Sequence, residues 1–215
     1  MIKNVLFDLD GTLTDSSLGI TKSVAYALDR FGIYVSDLSV LRVFIGPPLV
    51  DSFMKYFDFS KEQAEEGLQV YREYFGEYGI YENEVYDGIR ELLEALKAEG
   101  RKVVLCTAKP QPYAERILEH FDLTKYFDFI AGNTMEETRS EKSMLIEYIL
   151  EQNPEFVRAE TAMVGDRRYD IEGAKATGIK SVGVTFGFAE ENELESAGAD
   201  YIVHSAKELQ EVLLK

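Results

Sequence analysis

The sequence carries a single cysteine, Cys106, in 215 residues, which excludes an intramolecular disulfide and a metal centre built from cysteine alone. Cys106 lies inside the apolar run Val103-Val104-Leu105-Cys106, where a free thiol is expected to behave as a small buried hydrophobe. Histidine is nearly as scarce. His120 and His204 stand far apart and read as structural or surface groups rather than catalytic residues or ligands. Positive charge is also short, with 23 Lys and Arg against 39 Asp and Glu, for a net charge of −16. A nucleic-acid backbone selects clustered Lys and Arg, so no nucleic-acid polymer is expected as a partner. No apolar run approaches membrane-spanning length, and Asp8 interrupts the N-terminal segment before the apolar core of a signal peptide could form. These absences predict a cytoplasmic protein with no membrane partner.

What is present fits one sizeable core with room for a small second domain. An apolar fraction of 46% beside a charged fraction of 29% is that of an ordinary globular chain, neither disordered nor membrane-bound. Residues 3–9 read as a buried strand, and short apolar runs recur at 102–107, 127–131, 161–164, 181–185 and 201–203. Helical periods lie between them: Ile89, Leu92, Leu93 and Leu96 with Gly100 as the stop, then Met144, Leu145, Tyr148 and Ile149. Alternating strands and helices predict an α/β fold, a doubly wound parallel sheet covered on both faces. Residues 15–81 break the rhythm. They hold helical stripes, Ile20, Val24, Leu28 and Phe31, then Tyr71, Tyr74, Phe75 and Tyr78, and no convincing buried strand. The expected domains are therefore a core of 1–14 and 82–215 and an inserted α-helical domain of 15–81, whose aromatic stripe is expected to be packing rather than a ligand box.

In an open parallel sheet, ligands bind beyond the carboxyl ends of the strands. The first strand ends in Asp8-Leu9-Asp10-Gly11-Thr12, which places two carboxylates one residue apart before a glycine that lets the backbone turn. A calcium loop of the EF-hand kind is excluded, because the positions that need Gly and Glu hold Leu13 and Gly19. The second strand ends in Thr107-Ala108-Lys109-Pro110, read as a hydroxyl at a helix start, where anions are favoured. Lys142 heads the helix that follows the third strand. The fourth strand runs into Gly165-Asp166-Arg167-Arg168-Tyr169-Asp170. Thr107, Asp166 or Asp170 alone could be a helix cap, and Lys142 alone a surface lysine. Capping explains poorly why four strand ends together collect Asp8, Asp10, Thr107, Lys142, Asp166 and Asp170.

In these residues the sequence resembles the haloacid dehalogenase superfamily. Its phosphatases carry D-x-D-G-T, a later Ser or Thr, a Lys and G-D-x-x-x-D in this order. The resemblance spans the core, and the insertion after the first motif matches a helical, C1-type cap on a Rossmann-like sheet. Thr107-Ala108-Lys109-Pro110 and Gly46-Pro47-Pro48-Leu49 look similar to the phosphoglycolate phosphatase-like and 5′-nucleotidase-like members, although many relatives have Asn where this chain has Ala108. The resemblance implies a magnesium-dependent hydrolase of a small phosphorylated metabolite. Asp8 would be the nucleophile and Asp10 the general acid and base, with Thr107 and Lys142 gripping the phosphoryl group. Mg2+ would be held by the Asp8 and Asp166 side chains and the Asp10 backbone carbonyl, with Asp170 in support. Gly11, Thr12, Ala108 and Lys109, with Gly46 and Pro47 from the cap, would contact substrate. Asp10 favours phosphoryl transfer over carbon–halogen chemistry, because a departing alkoxide needs a proton and a halide does not. A phosphosugar mutase or a pyrophosphatase on the same fold, and a catalytically silent binding protein, remain open at this point. A monomer or weak homodimer is expected.

The cap reading predicts that residues 15–81 form a lid whose loops choose the substrate while the core performs the chemistry. Replacing Pro47 and Leu49 with alanine should therefore reorder a ranking of phosphorylated substrates several-fold, while cleavage of a small aryl phosphate survives. An unchanged ranking removes these residues from substrate choice.

Overall fold

Every side chain of Asn4-Val5-Leu6-Phe7 is buried, and this run forms the strand around which the core is laid. The computed structural model describes all of Met1–Lys215. In chain order the elements are β1 (Asn4–Phe7), β2 (Thr14–Asp15), α1 (Ser17–Arg30), α2 (Leu49–Phe57), α3 (Lys61–Tyr74), β3 (Glu84–Val85), α4 (Ile89–Ala98) and β4 (Lys102–Pro110). They continue with α5 (Gln111–His120), β5 (Phe129–Asn133), α6 (Lys142–Gln152), β6 (Thr161–Gly165), α7 (Arg168–Thr177), β7 (Lys180–Val184), α8 (Glu193–Ala197), β8 (Tyr201–Val203) and α9 (Ala206–Leu214). The chain divides into two compact units, Met1–Thr14 with Val85–Lys215, and Asp15–Glu84.

The first unit is a six-stranded sheet in the order β5-β4-β1-β6-β7-β8, parallel throughout. From β1 the chain builds outward through β4 and β5, then returns to the other side of β1 for β6, β7 and β8. That reversal makes the carboxyl ends of β1 and β6 neighbours at a topological switch point, where such sheets open a crevice. Phe7 pairs with Leu105 on one side and Val164 on the other, so residues that follow these strands emerge together. One face of the sheet packs Leu6, Val104, Cys106, Ala131 and Met163 against Leu145, Ile146 and Ile149 of α6 and Ala174 of α7. Cys106 is fully buried there, and burial pushes its thiol up to about 12, so it is packing rather than a nucleophile. Helix α4, which packs on β4 and α9 through Ile89, Leu92, Leu93 and Leu96, belongs to the layer outside that cluster.

The structure corrects two expected stripes. In α6, Met144 is 46% exposed and Ile146 is fully buried in its place. At the end of α3 and just beyond it, Tyr71 and Phe75 are buried and stacked at 5.2 Å, while Tyr78 is 53% exposed. The cause is a wider π turn over Phe75–Gly79, which breaks the 3.6-residue period and swings Tyr78 off the buried face. The second unit is otherwise helical, with a core of Val24, Leu28, Phe44 and Phe53; the Phe44 and Phe53 rings meet at 5.1 Å. It extends to Glu84 rather than residue 81, because Glu82 folds back on α1, its carbonyl accepting from Gly19 and its carboxylate pairing with Lys22.

Asp128 ties three core segments together. Its carboxylate accepts from Lys97 of α4 at 2.6 Å, Lys102 at 3.3 Å and the Val103 backbone N–H at 2.9 Å. Burial alone would raise its pKa, but these donors outweigh burial and hold it below the ordinary carboxylate value. A depressed folded pKa contributes stability above the unfolded value of about 3.9 that is lost as pH falls through the folded value. Asp128→Asn should cost about 1 kcal/mol at pH 7. The gap from the parent protein should close below about pH 4. Urea unfolding at both pH values measures this, and a gap that stays constant refutes the role of the charge.

Candidate active site

After β1 the chain closes a tight loop: the N–H groups of Leu13 and Thr14 donate to Leu9 O at 2.9 and 3.0 Å, and Gly11 N donates to Thr14 O at 2.8 Å. Gly11 has φ +79°, and a Cβ there would overlap the Asp166 carboxylate, so both backbone and space demand glycine. Asp8 is anchored to β6 by its N–H, which donates to Val164 O at 2.9 Å. Its Oδ1 accepts from Leu9 N at 2.8 Å and its Oδ2 lies 3.0 Å from Lys142 Nζ. Asp10 has a different cation: its Oδ2 is 3.1 Å from Lys109 Nζ, while its Oδ1 is buried without a hydrogen-bond partner. The two carboxylates of the first motif are thus each paired with a lysine of its own.

Lys142 reaches from the first turn of α6 into the interior, its side chain only 4% exposed. Its ammonium donates to Cys106 O at 3.0 Å and lies 3.0 Å from Asp8 Oδ2 and 2.8 Å from Asp170 Oδ1. The contact with Asp170 is an ion pair without the directional geometry of a hydrogen bond, since that oxygen has no hydrogen-bond partner. Burial works against the charge, but Asp170 and Asp8 outweigh it, and the Lys142 pKa rises.

Asp166 leaves the end of β6 fully buried; its Oδ2 accepts from Phe188 N at 2.7 Å and its Oδ1 lies 3.4 Å from Thr12 Oγ1. Asp170, one turn into α7, accepts from Arg167 N at 3.1 Å, and a Cβ on Gly165 would collide with its side chain. Carboxylate oxygens of Asp8, Asp166 and Asp170 lie within 4.8 Å of one another. Burial first, then the charges of Asp170 and Asp8, push Asp166 well above the carboxylate range. Burial, with Lys142 opposing, pushes Asp170 up to about 6. Three crowded carboxylates with one buried ammonium are short of positive charge, and their hard oxygen donors fit a divalent cation. Asp10 is outside this carboxylate group, and Asp170, expected in support, lies within it.

Thr107 corrects one expectation, because it does not begin a helix. Strand β4 runs on to Pro110 through a register shift between Cys106 and Pro110, and α5 starts only at Gln111. Such a bulge re-aims side chains at a sheet end. Thr107 is buried there and its Oγ1 accepts from Lys109 N at 3.2 Å, with the less buried Ala108 between them. Gly46 and Pro47 belong to the helical unit, in the turn between a 3-10 segment, Leu38–Phe44, and α2. His204 hydrogen-bonds Thr185, and His120 lies edge-on to Phe121.

Sequence reasoning missed the segment after β7. Phe188 N holds Asp166, and Glu193 holds Arg167 through Nε at 2.9 and 3.2 Å. The strand-end rule applied to the apolar run 181–185 would have pointed at Gly187 and Phe188; nothing local marks Glu193.

Residues 5–184 match the family model described as haloacid dehalogenase-like hydrolase. The chain is 43% identical to a 5′-nucleotidase of Pseudomonas aeruginosa over 98% of its own length and 95% of that protein. It is 35% identical to the tyrosine-protein kinase PtkA of Mycobacterium tuberculosis over 97% of its length and 72% of that protein. A crystal structure titled as a predicted phosphatase from Clostridium acetobutylicum superposes with a TM-score of 0.95 at 48% identity, covering 100% of this chain and 99% of that one. No helix is long and apolar enough to cross a membrane. With the strand-end carboxylates, the buried lysine and these matches together, the chain belongs to the haloacid dehalogenase-like hydrolase family and is one of its phosphatases.

Proposed function

We propose that this phosphatase is magnesium-dependent and hydrolyses a small phosphorylated metabolite, of nucleoside monophosphate or phosphoglycolate type, through an aspartyl phosphate on Asp8. The observation that carries the reading is the split between two neighbouring carboxylates. Asp8 is gripped by Lys142, and Asp10 is gripped by Lys109 with one buried oxygen unpartnered. The name of the Pseudomonas aeruginosa relative supports the nucleotide arm.

Phosphate monoesters hydrolyse so slowly unaided that enzymes accelerate them by up to about 10²¹-fold, so several groups must act together. Asp8 attacks phosphorus in line, forming the acyl phosphate as the ester P–O bond breaks. Asp10 gives a proton to the departing alkoxide and later takes one from the water that hydrolyses the acyl phosphate, which regenerates both carboxyl groups. Lys142 orients Asp8 and offsets its repulsion from the phosphoryl oxygens, which Thr107 and the backbone beside it also grip. Magnesium bound by the Asp8 and Asp166 side chains and the Asp10 carbonyl, with Asp170 adjacent, would supply Lewis-acid neutralisation of those oxygens.

Phosphate release across nucleoside monophosphates, phosphoglycolate, sugar phosphates and pyrophosphate, with magnesium and with chelator, tests the reading. Chelator-sensitive release from a small monophosphate is expected. An isomer without free phosphate points to a mutase, pyrophosphate as the sole substrate to a pyrophosphatase, and silence on the whole panel to a binding protein.

Asp8→Asn should lower kcat on the order of 10⁴-fold with the thermal transition intact, because the amide nearly keeps the volume but forms no stable acyl phosphate. Parental rates in an undeamidated preparation would take the nucleophile role from Asp8. Asp166→Asn keeps an acceptor for Phe188 N and removes a charge, so the magnesium concentration for half-activity should rise roughly tenfold or more. An unchanged magnesium titration would make Asp166 a purely structural group.

A further inference from the structure

We infer that Glu193 is a positioning residue that keeps the Arg167 guanidinium out of the Asp8, Asp166 and Asp170 cluster, so that a divalent cation rather than an internal arginine neutralises it. This rests on the proposed cation site. Arg167 lies in sequence between two of the clustered carboxylates, and its backbone N–H donates to one of them, Asp170, at 3.1 Å. A tethered guanidinium beside a charge-deficient cluster is a standing competitor for it, since Arg matches carboxylates with paired donors.

The Glu193 carboxylate is built to hold that competitor. Arg167 Nε donates to both of its oxygens, Arg168 N donates to Oε1 at 2.8 Å and Glu190 N donates to Oε2 at 2.9 Å. The pair is largely enclosed, with side-chain exposures of 16% for Arg167 and 9% for Glu193. Burial would discourage the carboxylate, yet Arg168 N–H, Glu190 N–H and Arg167 together hold its pKa below the ordinary value, so it stays charged at neutral pH. The same connection carries Phe188 N to Asp166, so the segment from Phe188 to Glu193 fixes one carboxylate and withdraws the cation beside it. Residues that orient a metal site from outside commonly change its affinity by about 10–100-fold.

The test uses the full-length protein without substrate and reads Mg2+ affinity by calorimetry and by the Mg2+-dependent rise in Tm. Glu193→Gln preserves volume and should weaken Mg2+ binding roughly tenfold. Adding Arg167→Gln should restore most of the loss, because the competitor is gone, and Arg167→Gln alone should bind Mg2+ at least as well as the parent. Circular dichroism confirms that each variant is folded. Parental affinity in Glu193→Gln overturns the inference, and so does a double variant as weak as Glu193→Gln, which would make Glu193 a structural strap. Absence of Mg2+ binding in the parent protein overturns the cation site and this inference together, whereas loss only in Asp166→Asn leaves the site standing and removes Glu193 from it.

Discussion

The Lys142 ammonium is the constraint on which the site depends. It is a buried cation shared between Asp8, Asp170 and the Cys106 carbonyl. Removing one partner from such a buried arrangement commonly costs about 3–5 kcal/mol, because the remaining charges stay desolvated. Here the remainder would be carboxylates already too close together. The geometry explains why a lysine heads α6 although the helix dipole disfavours a cation there. Two nearby anions outweigh the dipole. It also explains why the sheet carries the chemistry, since only the adjacent ends of β1 and β6 bring Asp8 and Asp166 together without a loop of their own.

The same crowding gives the acidic composition a local meaning. A net charge of −16 spread over a surface keeps a protein soluble, but where carboxylates are buried and then crowded together their pKa values rise, as at Asp166 and Asp170. Such a site is destabilising by itself, and the proposed cation would relieve it, so part of the binding energy of that cation would be relief of carboxylate repulsion. An acidic protein could then receive an anionic substrate, because the field it meets would be set by the proposed cation, Lys142 and Lys109 rather than by the surface.

Most of the core was legible because its signals are local. Each strand of the six-stranded sheet lies within or beside an apolar run, and the residues just after β1 and β6, with Lys142 beyond β5, are those the strand-end rule selects. What escaped depends on backbone geometry or distant contacts. The bulge that keeps Thr107 on a strand is a register shift, which no residue pattern announces. Tyr78 follows the helical period in sequence and leaves the core only because the helix widens there. Met144 and Ile146 lie two residues apart, so a small error in phase exchanges an exposed side chain for a buried one.

Glu193 shows why such residues stay hidden. Glutamate at the start of a helix is ordinary, and its sequence neighbours give it the look of a solvated face. Its significance comes from Arg167, 26 positions earlier, and Arg167 matters because it stands between Asp166 and Asp170. Each link is unremarkable alone. A motif records the residues that touch the chemistry, but a charged residue lodged between motif positions also needs a partner to hold its charge elsewhere. Wherever a strand end gathers several carboxylates, an arginine between them therefore directs attention to the distant anion that holds it.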